Sequence, residues 1–229
     1  VYYFYSYLLV EDTSKPTNFS VPTGNFGDVY AGYLAKKMGL PVNKLIVATN
    51  QNDILHRAIS KGNYEAEKVS ETISPSMDIQ IASNFERLIF DLNKEDDSQT
   101  FLDMKNIKES GKYLISEEKL IKIRESFLSA RMNEKETLDV ISSVYEKFKV
   151  VLDPHTAIGY GAFDKHDLRG NNIVLGTAHP CKFPEAIQSA IKIKSDLPSE
   201  MMFILDEKEN YDIIENDIEK VKQHIKDRT

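Results

Sequence analysis

Cysteine is almost missing from this 229-residue chain, and tryptophan is missing altogether; Cys181 is the one thiol. A single cysteine excludes an intramolecular disulfide, so a reducing compartment is the default expectation. Basic residues are in the minority, 29 Lys and Arg against 36 Asp and Glu, for a formal net charge of -7. A nucleic-acid partner would call for a basic excess, so that class is excluded. A small phosphate needs only a local nest of N–H groups, which an acidic total does not forbid. No apolar run approaches the ~20 residues that span a bilayer, so no membrane partner is expected. The first ten residues hold neither a basic run nor a small-residue cleavage site, so no secretory leader is expected and the expected location is cytoplasmic. Internal repeats and low-complexity tracts are also missing.

What is present is ordinary for a globular protein: 41% apolar and 28% charged residues, long enough to bury a substantial core. The chain is organised around residues 20–28, Ser20-Val21-Pro22-Thr23-Gly24-Asn25-Phe26-Gly27-Asp28. A polar connection over residues 11–20 precedes it. A run with helical spacing follows, with Ala31, Leu34, Ala35 and Met38 on one face and Gly39 and Pro41 as stop signals. A loop bounded by Gly24 and Gly27 therefore feeds a helix N-terminus. Such a loop offers free N–H groups and the positive end of a helix dipole, a seat for a phosphate. The two glycines allow close backbone approach and positive φ. The same pattern also serves a plain strand–turn–helix connection.

Further along, residues 44–48, 150–152 and 173–175 are short apolar runs that read as buried parallel strands. Residues 49–53 supply cap candidates for a helix through Ile54, Leu55 and Ile59, and Ser83 or Asn84 can cap a helix carrying Phe85, Leu88 and Ile89. Residues 94–98 form a solvated charge run. From 101 to 149 the pattern reads as helical, with a Ser116 cap and a capping box of Asn133 and Glu136. Residues 213–225 repeat helical spacing. His155 reads either as a general base or as a hydrogen-bonded structural histidine. His179 and Cys181 could be metal ligands, but no CxxC or HxxxH supports them, and no metal is expected. Arg87 reads as a helix-surface arginine or as an anion contact.

The motifs taken together resemble threonine synthase. V-P-T-G-N-F-G-D followed by A-G-Y-L-A-K-K-M-G-L-P is similar to that family's phosphate-binding loop. V-Y-Y-F-Y-S-Y at the start, A-T-N-Q-N-D-I-L-H-R, S-P-S-M-D-I, A-S-N-F-E-R and D-P-H-T-A extend the resemblance along the chain. So does T-A-H-P-C-K-F, which departs from the family at Gly176 and Cys181. The resemblance implies an α/β fold of the tryptophan-synthase-β-like type (fold type II), three-layered with a parallel-rich sheet and a helical subdomain. It implies pyridoxal 5'-phosphate as cofactor, held at its phosphate by Gly24, Asn25, Phe26, Gly27 and Asp28 and at its pyridine nitrogen by Thr177. A hydroxyl there hydrogen-bonds a neutral nitrogen without imposing a proton, as an aspartate would.

Asn84 and Arg87 are the substrate contacts that the resemblance suggests, the substrate being O-phospho-L-homoserine, converted with water to L-threonine and phosphate. The family's Schiff-base lysine lies in a phenylalanine-lysine-aspartate context that no lysine here has. It is expected upstream of Val1, so no catalytic residue is assigned and the chain is expected to be a C-terminal portion, inactive alone, whose partner is the missing N-terminal domain. The expected domains are 1–92 with 150–195 as a partial cofactor-binding unit, 93–149 as a helical insertion and 196–229 as a helical extension. The alternatives are another fold-type-II lyase, of dehydratase or phospholyase type, and a non-catalytic phosphate-binding module.

Overall fold

The computed structural model describes residues 1–229, as two compact units, Val1–Ser195 and Asp196–Thr229. The first unit begins with α1 (Tyr2–Leu8), β1 (Thr17–Pro22), α2 (Gly27–Lys37), β2 (Val42–Thr49), α3 (Ile54–Lys61) and the short β3 (Asn63–Glu65). It continues through α4 (Phe85–Leu92), α5 (Asp97–Ser110), β4 (Lys112–Leu114), α6 (Glu117–Ser126) and β5 (Phe127–Arg131). It closes with α7 (Glu134–Phe148), α8 (Pro154–Asp164), β6 (Asn171–Val174) and α9 (Pro184–Ile191).

β5-β2-β1-β6, in that order, form one all-parallel sheet, and β3 pairs antiparallel with β4 beside it. Strand residues alternate between two covered faces, as the period of two requires. Phe19, Val21, Leu45, Val47 and Phe127 pack with Val29 of α2, Ile54 of α3, Leu88 of α4 and Ile123 of α6. Ile46, Ala48 and Ala130 face Ile158 and Ala162 of α8 on the other side. Behind α8 lie α7 and α9, joined to it through Ile141, Ala157 and Ile187. With both faces covered, the strands need no polar alternation, which is why β2 reads as a continuous apolar run.

Local signals explain most helix ends. Ser116 accepts the Lys119 N–H, and Asn133 with Glu136 closes a capping box on α7. Gly39 follows α2 at φ +102°, the left-handed stop. Tyr3 of α1 is buried and lies against Gly32 of α2, where a β-carbon would stand 2.5 Å from its ring. Tyr2, Tyr5 and Leu8 on the rest of α1 are exposed.

Three expectations need correcting. Residues 17–20, read as a polar connection, belong to β1, and all of β1 is buried. Its polar side chains are satisfied internally: Asn18 donates to Arg169 O and Asn172 Oδ1, and Ser20 donates to Gly159 O at 2.6 Å. Residues 127–131, inside the stretch read as helical, form the edge strand β5. Residues 150–152 belong to no strand; Val151 and Leu152 pack against the α7–α8–α9 cluster instead of joining the sheet.

The second unit holds a 3-10 turn over Ser199–Leu205 and α10 (Ile218–Lys226). Helix starts later than residue 213 because Asp217 caps it, accepting the N–H groups of Glu219 and Lys220. Asp212 pairs with Arg228 and His224.

Candidate functional site

Chain order and sheet order disagree at one place. β1 leads to β2 and β2 to β5 in one direction, while β6 returns to the opposite side of β1. In open parallel sheets, ligands bind beyond the carboxyl ends of the strands at such a switch. The segments that leave β1 and β6 meet there. Gly24 and Asn25 from the first and Thr177 from the second line one cleft of about 240 Å³, together with Ser76, His155 and Lys182.

The loop after β1 is held taut. Asn25 Oδ1 accepts the Gly27 N–H at 3.1 Å, and Phe26 O accepts the Tyr30 N–H at 3.1 Å as the first turn of α2. The N–H groups of Gly24, Asn25, Phe26, Asp28 and Val29 have no acceptor within the protein. Unpaired donors at a helix N-terminus are an anion seat. Gly24 is needed for close approach: a β-carbon there would lie 2.6 Å from Ser76 O. Positive φ, expected at a glycine, falls instead on Phe26 at +73°. Its ring is fully buried, edge-on to Phe85 at 5.2 Å. The side chain of Phe26 is thus an anchor beneath the loop, and the loop residues that line the cleft are Gly24 and Asn25. Asp28 also turns its side chain away: its carboxylate and carbonyl both accept from the Tyr3 hydroxyl, at 3.1 and 2.9 Å. Burial pushes the Asp28 carboxyl up despite the opposing bond from Tyr3.

The opposite wall depends on Asp153, the N-cap of α8, with Pro154 at the first helical position. Its Oδ1 accepts the His155 N–H at 2.9 Å and the His155 ring at 3.0 Å. The other ring nitrogen of His155, Nε2, accepts the Ser76 N–H at 3.3 Å, which assigns the Nδ1-protonated tautomer. Oδ2 accepts the Thr156 hydroxyl. Burial would raise the Asp153 carboxyl, but the bonds from His155 and Thr156 outweigh it and hold it below the ordinary value of 3.8. Thr177 is exposed on the cleft, its N–H given to Thr156 Oγ1 at 3.4 Å and its hydroxyl free of internal partners.

Asn84 is brought beside the loop: its N–H is given to Asn25 O at 3.0 Å, and its amide stands where a β-carbon on Gly27 would point. It occupies the N-cap of α4 without capping it. Arg87 is not brought to the cleft. It lines a separate groove of about 550 Å³ with Asn84, Tyr30 and Phe101, exposed and without an ion-pair partner. His179 Nδ1 accepts the Cys181 N–H, a local turn bond, and no group of three His, Cys, Asp or Glu is arranged for a metal. Sequence reasoning assigned no role to Ser76, Asp153 or Lys182. The proline after each of Ser74, Asp153 and His179 marks them as sharp starts of helical turns, a signal that fixes conformation but not what the turns approach.

The family model described as "Threonine synthase, C-terminal" matches residues 156–225. A threonine synthase of Pseudomonas aeruginosa is 41% identical over 228 residues, covering 98% of this chain and 49% of that protein. One of Saccharomyces cerevisiae is 39% identical, covering 99% and 50%. Among solved structures, the PLP-bound threonine synthase of Brucella melitensis superposes with a TM-score of 0.91 at 43% identity, over 99% of this chain and 49% of that one. The yeast enzyme gives 0.86 at 37% identity, over 98% and 50%. The chain therefore shares the fold of these enzymes, and it spans about half the length of the curated relatives it matches.

Proposed function

We propose that this chain is the C-terminal half of a threonine synthase and that it holds pyridoxal 5'-phosphate between the loop after β1 and Thr177. The observation that carries this reading is the shared cleft of Gly24, Asn25 and Thr177, residues far apart in sequence. The donor set fits the group: unpaired N–H groups at the start of α2 suit its phosphate, and the free Thr177 hydroxyl suits a ring nitrogen. When bound, the cofactor supplies an electron sink for a carbanion on the amino-acid substrate.

This chain's residues bind and orient. Gly24, Asn25 and Phe26 hold the phosphate through their N–H groups, helped by the dipole of α2. Thr177 meets the ring nitrogen with a hydroxyl that does not force a proton onto it. Lys182 is the one cation lining the cleft and keeps its potential favourable to anions. Asn84 and Arg87 are assigned to O-phospho-L-homoserine, whose phosphate matches an unpaired guanidinium fork. The lysine that the cofactor needs is assigned outside this chain, so the chain alone is inactive.

Protein expressed from the complete gene is expected to release phosphate and form L-threonine from O-phospho-L-homoserine and water. Deamination of serine or threonine without threonine synthesis would favour a dehydratase instead. The 229-residue chain by itself is expected to form no threonine and to lose added cofactor on desalting; threonine formation by it would refute this division of labour.

A further inference from the structure

We infer that Asp153 is a positioning residue that ties the two walls of the cleft together, aiming the Thr177 hydroxyl from a distance; this rests on the cofactor reading above. A helix cap needs only bonds from N–H groups to its side chain. Asp153 does more. Both carboxylate oxygens also take side-chain donors, the His155 ring on Oδ1 and the Thr156 hydroxyl on Oδ2. All three residues are buried, Asp153 at 1% exposure.

Each bond has a fixed direction, because a carboxylate only accepts. His155 must give its Nδ1–H to Asp153, which leaves Nε2 bare to accept the Ser76 N–H at 3.3 Å. Ser76 is the residue whose carbonyl closes on Gly24. Thr156 must give its O–H to Asp153, which leaves its oxygen to accept the Thr177 N–H at 3.4 Å. One carboxylate therefore sets a donor–acceptor polarity along two arms. The first arm ends at the loop offered to the cofactor phosphate, the second at the residue offered to the ring nitrogen. The spacing between the two ends of the ligand site is fixed by a side chain that contacts neither.

The test uses protein from the complete gene. Thr156→Val is expected to weaken pyridoxal-phosphate affinity about tenfold by freeing the Thr177 main chain, and to shift the absorbance maximum of the bound cofactor. Thr156→Ser, which keeps the hydroxyl, is expected to restore both. In a Thr177→Ala background the effect of Thr156→Val on affinity is expected to disappear, since the hydroxyl acts through Thr177. An equal loss in both backgrounds, or no loss in either, overturns the inference while leaving the cofactor reading intact. Wild-type protein that retains no cofactor overturns the reading beneath it. Should Thr156→Val not fold, the nitrogen chemical shifts of His155 in the wild type decide: the Nδ1-protonated tautomer supports the network, and the Nε2-protonated one breaks the arm to Ser76 and overturns it.

Discussion

Replacing Phe26 by alanine and by glycine separates two forces that oppose each other at one residue. The ring is fully buried, with Phe85, Phe127 and Tyr30 at centroid distances of 5.2, 5.6 and 6.5 Å. Emptying such a site costs about 3–5 kcal/mol, which a domain of ordinary stability survives. The backbone at φ +73° opposes that gain. A left-handed conformation costs a residue with a β-carbon about 1 kcal/mol, and glycine nothing. Phe26→Ala loses the ring and keeps the strain, so its full cost of about 3–5 kcal/mol is expected. Phe26→Gly loses both, and should be more stable than the alanine variant by about 1 kcal/mol. In a helix or strand that order is reversed, with glycine the worse by about 0.5–1 kcal/mol. Urea unfolding of the two variants, at unchanged m, measures the difference directly. If Phe26→Ala proves as stable as Phe26→Gly or more so, residue 26 is not held at positive φ in solution, and the account of the loop as strained but anchored fails.

Gly24→Ala drives a β-carbon to 2.6 Å from a main-chain oxygen that cannot swing aside; a stability loss of about 1–3 kcal/mol is expected with loss of cofactor retention, checked by thermal unfolding and desalting. Asp153 has a folded pKa held below 3.8, so its stabilisation is complete above that ordinary value and is lost as pH falls through the lower, folded one. The stability gap between wild type and Asp153→Asn should therefore stay flat over about pH 5–7 and shrink below about pH 4; urea titrations across that range that find the gap gone by about pH 6 would contradict the bonding described. Arg87→Ala in protein from the complete gene is expected to raise KM for O-phospho-L-homoserine by tenfold or more, the worth of one charge-assisted phosphate contact of about 1.5–3 kcal/mol, without altering cofactor retention; steady-state kinetics with parallel desalting checks both.

Much of this fold was legible because local chemistry and tertiary outcome agree. The β2 run, the Asn133–Glu136 capping box and the Gly39 stop each name an element without help from the rest of the chain. The failures share one cause. β1 is buried yet holds Thr17, Asn18 and Ser20, whose partners are remote in sequence: Asn171 for Thr17, Arg169 and Asn172 for Asn18, and Gly159 for Ser20. Polarity that is satisfied at long range looks like exposure when only the sequence is read. β5 has the reverse problem: only Phe127 and Ala130 of its five residues are buried, so its period is faint and is masked by the helical spacing of α6 that precedes it. Residues 150–152 are apolar enough for a strand, but their burial is supplied by helices. At the site, the glycine spacing identified the loop, while the residue that carries the positive φ was legible only once Phe26 was known to be anchored.

The cleft also decides between the two readings of His155. A general base needs a nitrogen within reach of the proton it removes, and that nitrogen has to be available. His155 has neither nitrogen available: Nδ1 is turned to Asp153 and Nε2 takes the Ser76 N–H, in a residue that is 4% exposed, its ring tilted against Phe183 at 4.9 Å. To act as a base it would have to release Ser76 and with it the wall behind Gly24, loosening the loop at the moment the ligand must be held. Its structural role follows from those bonds. The remaining ionisable group on the cleft is Lys182, exposed at its rim. On the reading proposed above, the walls bind and orient the ligand, and His155 is not the group that moves a proton.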